Sequence, residues 1–322
     1  MKEDNLTQGY KFILLGFSVM QQARVCIFFI IVVIYTITII TNIFIIALVR
    51  TERSLHKPMY FFIGGLSFLE IWYPSVTIPK LLLILVTRHN TITLAGCVSQ
   101  FFFHFSLGAA ENFLLAIMAY DRYVAVCIPL RYSAIMDPYL CLKLLIGSWL
   151  CGFAIVGFLS AQILNVQFCT HNVIDHYYCD FAPIIRLSCS DTSIIETQFF
   201  ALSCVVILGC FIIILISYIC IIRTTVKLRS TVGRYKILST CSSHFIVVML
   251  FYGTTIFMFI RPAAEDVFNL NKKISVIPSI VTPLLNPVIY TLRNKQVKEA
   301  ISKATVKRRN TNKNNSFNLI KY

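Results

Sequence analysis

Seven long apolar blocks divide the chain, and they restrict its fold more than any other feature. They lie near 25–49, 58–86, 97–126, 140–161, 197–222, 236–260 and 273–292. Each is long enough for a helix that crosses a bilayer, which needs about 20 mostly apolar residues. Only 13% of the residues are charged, whereas soluble domains carry about a quarter. The blocks lack the strict alternation of membrane-barrel strands. We therefore predict an all-α membrane protein, a bundle of seven transmembrane helices.

The positive charge of the chain, +15 in total, is distributed unevenly among the loops. Lys and Arg cluster within 50–57, 122–143, 223–236 and 293–313. Because basic loops stay in the cytoplasm, this pattern predicts an extracellular N-terminus over 1–24, a transmembrane domain over 25–292 and a cytoplasmic tail over 293–322. It also argues against nucleic acid as the partner and for membrane lipid. The segment after the seventh block, RNKQVKEAI, predicts a short amphipathic helix at the interface.

Two features belong to the predicted outer side. Asn5 begins an Asn-Leu-Thr sequon, so we expect glycosylation there. Cys97, Cys169, Cys179 and Cys189 also lie outside, where disulfides persist. Four cysteines allow three pairings, and spacing alone does not choose among them.

Two carboxylates interrupt apolar blocks, Glu70 in the second and Glu111 in the third. Ionisable groups inside a span are candidates for function. The pair either shares a proton or a hard cation such as Na⁺, or consists of two separately hydrogen-bonded acids. On a helix of 3.6 residues per turn, His104, Glu111 and Arg122 share one face and extend over roughly 27 Å. Such a polar stripe suits a transmembrane signal or an ion path.

Four long stretches then resemble one family. They are HKPMYFFIGGLSFLE at 56–70, MAYDRYVAVCIPLRY at 118–132, KILSTCSSHFIVV at 236–248 and PLLNPVIYTLRN at 283–294. Together they are typical of odorant (olfactory) receptors, which are rhodopsin-like G-protein-coupled receptors, and they resemble the tetrapod-type branch more than the fish-like one. The resemblance implies an olfactory-type stimulatory G protein as partner, a rise in cAMP, and a plasma-membrane location in the cilia of sensory neurons. It implies no enzymatic activity.

The resemblance also assigns roles to individual residues. It implies the disulfides Cys97–Cys179 and Cys169–Cys189, and a sodium site at Glu70 and Glu111, although the family has Asp where this chain has Glu70. It implies a G-protein switch made of Asp121, Arg122, Tyr123, Tyr218, Asn286, Pro287 and Tyr290, with Asn42 in the same inner network. The start of the sixth block, RYKILSTC, has no carboxylate. We therefore expect Asp121 to be the resting partner of Arg122.

The implied ligand site lies in the outer half of the bundle. It comprises Phe101, His104, Phe105, Gly108, Ala109, Leu202, Val206, Tyr252, Thr255, Ile256, Phe259, Val276 and Ser279. Apolar side chains dominate this set, and we find no intramembrane acid near His104. The site therefore predicts a small, uncharged, volatile organic ligand. A single histidine without sulfur partners is weak evidence for a metal site.

Three other functions have sequence features to be weighed. An ion transporter could use Glu70 and Glu111, but the chain has no two-half repeat and no matching pair of broken helices. An intramembrane enzyme would need a nucleophile–base pair or a motif such as HExxH, and none occurs. A chemoreceptor acting outside the nose would share every feature above and differ only in its tissue.

Overall fold

The structure is a computed structural model that describes residues 10–17, 20–87, 90–169, 172–260, 265–293 and 296–303. Asn5 and the tail beyond residue 303 lie outside the described residues. Seven of the described helical segments are long and apolar enough to cross a membrane. The predicted fold class, a bundle of seven membrane-spanning helices, is confirmed.

The first six spans are single helices. They are α1 (Gln21–Thr51), α2 (Pro58–Thr87), α3 (Leu94–Cys127), α5 (Pro138–Leu164), α7 (Ser193–Lys227) and α8 (Thr231–Ile260). Short helices α4 (Tyr132–Ile135) and α6 (Phe181–Ile185) lie in the loops between spans. Helix α3 is central, since it packs against α2, α5, α7 and α8.

Side chains at the boundaries explain where several helices begin. Asp137 accepts hydrogen bonds from the backbone N–H groups of Tyr139 and Leu140 at 2.8 and 2.9 Å, and Pro138 follows it as the first helical residue of α5. A proline is favoured there because its missing N–H is not needed in the first turn. At the start of α3, Thr93 accepts from the N–H of Gly96 at 3.1 Å. Both are N-caps that satisfy otherwise unpaired donors.

The sequence predicts one regular helix for the seventh span, but the structure differs. It consists of α9 (Glu265–Ile274), a π-helical turn (Ile277–Val281) and α10 (Thr282–Arg293). Pro278 is the second residue of the turn and Pro283 is the second residue of α10, and neither has an N–H to continue an α-helical ladder. A π-turn at this depth places Ser279 toward the bundle interior, where it is 1% exposed.

A small sheet and two disulfides cover one end of the bundle, which we call the outer end. Strand β1 (Lys11–Leu14) pairs antiparallel with β2 (Thr91–Thr93) and parallel with β3 (Val173–Ile174). The disulfides are Cys97–Cys179 and Cys169–Cys189, which are the two pairings that the resemblance implied. The first joins α3 to the long loop before α7, so the loop folds over the bundle.

The opposite, inner end carries the predicted short helix, over 296–303. Its first residue, Gln296, accepts hydrogen bonds through Oε1 from Tyr60 at 2.8 Å and from Lys57 at 3.4 Å. Val297 and Ala300 are buried on the bundle side. These contacts hold the helix against the inner end of α2.

Candidate functional site

A cavity of about 270 Å³ lies in the outer half of the bundle. This volume is slightly below the usual range of ligand pockets, about 300–1,000 Å³. Helices α3, α5, α7 and α8, the π-turn and the loop after the Cys97–Cys179 disulfide all contribute to its wall. The predicted ligand residues that line it are His104, Phe105, Gly108, Ala109, Leu202, Val206, Thr255 and Ser279.

Four other predicted ligand residues do not line this cavity. Phe101 is fully buried beside Phe105, with ring centroids 4.6 Å apart. Tyr252 is 1% exposed and packs on Phe211 and Phe251 rather than on the cavity. Ile256 and Val276 are also absent from the cavity wall. The side chain of Phe259 lies outside the described residues. The role of each residue in binding stays a prediction.

His104 is held in one orientation at the outer end of the cavity. Its ring stacks on Tyr73 at 4.6 Å and lies 4.5 Å from the ring of Tyr178. Its Nε2 atom hydrogen-bonds to the Tyr73 hydroxyl at 3.3 Å. The Nδ1 atom is buried and has no partner among the described residues. Whichever ring nitrogen carries the proton, Nδ1 offers one unmet hydrogen bond to a ligand.

A second unmet polar atom lies deeper in the same cavity. Asn112 donates through Nδ2 to the carbonyl oxygen of Gly108 at 2.8 Å, which fixes the orientation of its amide. Its Oδ1 atom is buried without a described partner. His104 and Asn112 are eight residues apart on α3, so their Cα atoms are about 12 Å apart along the helix. The sequence reasoning missed Asn112, although it is a polar residue within an apolar span.

The loop supplies an acid that we had not expected near His104. Asp180 follows Cys179 and lines the cavity, because the disulfide to α3 brings this loop over the pocket. Asp180 Oδ1 accepts from the N–H of Phe181 at 2.9 Å and caps α6. Burial raises the pKa of Asp180 to about 6, against the opposing effect of that hydrogen bond. The expectation that no acid lies near His104 holds for the transmembrane spans but not for the loop.

The same loop is fastened to the start of the seventh span. Lys272 Nζ donates to Asp175 Oδ1 at 2.6 Å, and the two side chains are 8% and 57% exposed. The next residue after Asp175, His176, is buried, and its Nδ1 accepts from the N–H of Tyr178 at 3.4 Å. Burial, aided by the charge of Lys272, lowers the pKa of His176 to about 3. The loop thus closes the outer end of the cavity through one ion pair and a neutral histidine.

Below the cavity, the two intramembrane acids are both buried. Glu70 is 1% exposed and Glu111 is 2% exposed. Asn286 donates through Nδ2 to Glu70 Oε1, and the charge of Glu111 also acts on Glu70. The Oδ1 atom of Asn286 is buried and has no partner among the described residues. Glu70 on α2 is therefore hydrogen-bonded to Asn286 on α10, and Glu111 on α3 is close enough for its charge to act on Glu70.

The inner network connects α1 to α10 through a carbonyl that a proline leaves free. In a regular helix the oxygen of Pro283 would accept from the N–H of residue 287, but Pro287 has none. Asn42 instead donates through Nδ2 to Pro283 O at 3.2 Å, and to Thr38 O at 3.0 Å. Asn42 and Asn286 are fully buried. Asn42 thereby pairs the Pro283 carbonyl oxygen, which would be costly if it were left without a hydrogen bond inside the membrane.

Near the inner end, a histidine connects three helices. His244 on α8 lies 3.2 Å from Leu115 O on α3 through Nε2, and 2.8 Å from the Tyr218 hydroxyl on α7 through Nδ1. A carbonyl only accepts, so Nε2 carries the proton and donates, while Nδ1 accepts from Tyr218. His244 is fully buried. The sequence reasoning missed it, although the rule that selected Glu70 and Glu111 applies equally to a histidine in an apolar span.

The two hydrogen bonds of His244, to Leu115 O and to the Tyr218 hydroxyl, are called the bridge below. Arg122 lies beside this bridge. Its Nε atom is 3.8 Å from Asp121 Oδ2, and its charge acts on both Tyr218 and Tyr290. Asp121 also accepts from the Tyr132 hydroxyl at 2.8 Å through Oδ1, a contact that the sequence did not predict. Neither Arg122 Nε nor Asp121 Oδ2 has a hydrogen-bond partner in the described part of the chain, so the ion pair is loose.

The remaining switch residues are at least partly buried. Tyr290 is 2% exposed, and its hydroxyl has no partner among the described residues. Tyr123 is half-buried and Pro287 is buried. His104, Glu111 and Arg122 all lie on α3 and are 4%, 2% and 9% exposed. One helix connects the cavity, the buried acids and the inner switch.

Comparison with known proteins identifies the family. The olfactory receptor family model matches residues 31–308. The chain is 49% identical to olfactory receptor 287 of Rattus norvegicus, over 94% of this chain and 97% of that protein. It is 47% identical to human olfactory receptor 6B1 over 94% and 97%, and 45% identical to human olfactory receptor 6F1 over 94% and 98%. The chain belongs to the olfactory receptor family, a family of G-protein-coupled receptors and not of enzymes.

Proposed function

We propose that this protein is an odorant receptor that binds a small, uncharged, volatile organic molecule and activates an olfactory-type stimulatory G protein, which raises cAMP. The observation that carries the proposal is the continuity of α3. The same helix forms the cavity wall at His104, holds Glu111 below it and presents Arg122 at the inner end. A ligand that displaces α3 or its neighbours therefore acts on the switch directly.

The chemistry of the cavity supports a ligand with an apolar body and one polar group. Phe105, Leu202 and Val206 supply apolar surface on α3 and α7. The unmet hydrogen bonds include those of His104 Nδ1 at the outer end and Asn112 Oδ1 at the inner end. Leaving a buried polar atom unpaired costs about 1–3 kcal/mol. A ligand that pairs with either atom gains this energy in addition to its apolar burial.

The signalling step follows from the bridge at the inner end. A G protein enters only when the inner ends of the helices separate, and His244 joins α8 to both α3 and α7. The bridge must break for α8 to move. Tyr218 is then free to turn toward Arg122, whose hold on Asp121 is loose at 3.8 Å. The bridge therefore stabilises the resting state.

The buried acids fit a sodium ion in that resting state. Na⁺ is a hard cation that prefers oxygen ligands, and the carboxylates of Glu70 and Glu111 with the amide oxygen of Asn286 provide them. The longer side chain of Glu70 reaches Asn286, which donates to it through Nδ2. A bound Na⁺ would offset one of the two negative charges of the pair. The alternative occupant is a proton shared by the two acids.

The cellular setting of this function is also part of the proposal. The seven spans make the chain a multi-pass membrane protein, and the family supports a plasma-membrane location in sensory cilia. Asn5 would then be glycosylated outside the cell.

Two matched substitutions on one helix test the proposal. Leu202 of α7 lines the cavity, whereas Leu208 of the same helix is 43% exposed on its surface. An odorant panel applied to cells with a cAMP reporter should find at least one agonist for the wild type. Leu202→Trp should weaken that agonist at least tenfold, because the larger side chain fills part of a 270 Å³ cavity.

Leu208→Trp should leave the agonist's potency unchanged at equal surface expression. Equal potency of the agonist on both variants would show that it does not bind in this cavity.

A further inference from the structure

A groove on the lipid-facing side of the bundle is independent of the ligand cavity. It lies between α3, α5 and α7, has a volume of about 730 Å³ and is lined almost entirely by apolar atoms. Its walls run from Leu140 to Cys151 on α5, from Phe113 to Tyr120 on α3 and from Val205 to Ile213 on α7. All three helices are spans, so the medium at the mouth of the groove is the bilayer.

Two glycines create the space. A Cβ atom at Gly147 of α5 or at Gly209 of α7 would meet no atom within 4 Å. By contrast, a Cβ atom at Gly152 would lie 2.7 Å from Ser106 O, so that glycine permits close packing of α5 on α3. Glycine inside a helix is unfavourable relative to alanine. Helix packing explains Gly152, but it does not explain Gly147 or Gly209, whose missing side chains leave the groove open.

The inner end of the groove is positively charged. Lys143 is exposed there, with Nζ 4.1 Å from the centre of the Tyr139 ring. It has no carboxylate within ion-pair distance in the described part of the chain. Tyr120, which is 39% exposed, lines the same end. The inner leaflet carries anionic lipids that attract basic side chains near its surface, so a phosphate headgroup complements Lys143.

The length of the groove matches one leaflet. Leu140 and Cys151, the ends of the groove on α5, are eleven residues apart on a helix that rises 1.5 Å per residue, so they are about 16 Å apart. The hydrocarbon core is about 30 Å thick, and one leaflet therefore contributes about 15 Å.

We propose that this groove is a binding site for an anionic phospholipid of the inner leaflet, with an acyl chain along Gly147 and Gly209 and the headgroup phosphate at Lys143. The site is lined by Tyr120, which lies two residues before Arg122 on α3. Its α7 wall belongs to the same helix as Tyr218. The proposal does not depend on which odorant the receptor binds.

The test uses the full-length receptor in nanodiscs of phosphatidylcholine that contain a trace of phosphatidylserine with a photoreactive acyl chain. After illumination, mass spectrometry locates the labelled segments. We expect labelling concentrated in 140–151 and 205–213 and reduced by unlabelled phosphatidylserine more than by added phosphatidylcholine. Gly147→Leu with Gly209→Leu should lower labelling at least fivefold, while Gly253→Leu should not, since Gly253 also has open space around it but lies outside the groove.

A second variant tests the headgroup and leaves the shape of the groove unchanged. Lys143→Gln should reduce the preference for phosphatidylserine over phosphatidylcholine about fivefold. The control Lys227→Gln changes a lysine in the last turn of α7, outside the groove, and should leave the preference as in the wild type. Labelling spread evenly over all lipid-facing helices, labelling unaffected by filling the groove, or competition by a sterol but not by phosphatidylserine would each overturn the proposal.

Discussion

Replacing His244 with phenylalanine should make the receptor active without a ligand. The ring of His244 packs parallel to that of Tyr218, at 10° between planes and 5.9 Å between centroids, and phenylalanine keeps this packing. The substitution removes the two hydrogen bonds that join α8 to α3 and α7. Each buried hydrogen bond contributes about 0.5–1.5 kcal/mol net.

The expected shift is smaller than the full sum of the two bonds. Without the imidazole, the Tyr218 hydroxyl still has Cys241 O at 3.3 Å as an acceptor. We therefore expect the resting state to lose about 1–2 kcal/mol. That energy corresponds to a factor of about 5–30 in the equilibrium between resting and active states.

The assay is ligand-free cAMP at matched surface expression, measured by a reporter in cells. His244→Phe should raise the basal signal several-fold over the wild type. The control is His56→Phe, which makes the same change at an exposed histidine whose hydrogen bond, to Arg50 O at 3.2 Å, does not involve α8. Basal cAMP in His244→Phe that equals or falls below the wild-type level would refute the assignment of the bridge to the resting state.

Three further predictions concern the outer loop and the buried acids. Asp175→Lys or Lys272→Asp should each lower the free energy of unfolding by at least about 1 kcal/mol, since Asp175 is 57% exposed but Lys272 is only 8% exposed and would be left without its partner. The double swap should restore stability, and no restoration would contradict the ion pair as the contact that holds the loop. Because burial raises the pKa of Asp180 to about 6, and a neutral ligand favours the protonated acid, potency should fall as pH rises from 5 to 7. Asp180→Asn should flatten this dependence of potency on pH. His176, with a pKa of about 3, does not titrate in this range. A slope that persists in the variant would exclude Asp180 as the group that titrates. Replacing Na⁺ with a large organic cation should raise basal cAMP in the wild type but not in Glu111→Gln, and equal responses would argue for a shared proton instead.

The sequence predicted the spans well because the bilayer imposes a single strong requirement on each of them. A run of about 20 apolar residues is sufficient to identify a span. The polar residues within those runs were also visible, and Glu70, Glu111 and Arg122 all proved to be buried. His244, in the stretch SSHF of the sixth block, satisfies the same criterion.

The outer end was less predictable, since its structure depends on contacts between distant segments. The strand KFIL is too short to be recognised alone, and its partners begin at Thr91 and Val173, far along the chain. Asp180 reaches the cavity only because a disulfide folds its loop over α3. The π-turn at 277–281 similarly depends on how prolines are accommodated in the packed bundle.

Arg122 provides the most direct test of the central claim, that ligand binding in the outer cavity is transmitted through the inner switch to a G protein. The measurement is the odorant-dependent cAMP response of Arg122→Ala against that of the wild type, with surface expression matched by antibody labelling. We predict that the variant reaches the cell surface and gives no cAMP response to an agonist that activates the wild type. A full response in Arg122→Ala would contradict the account.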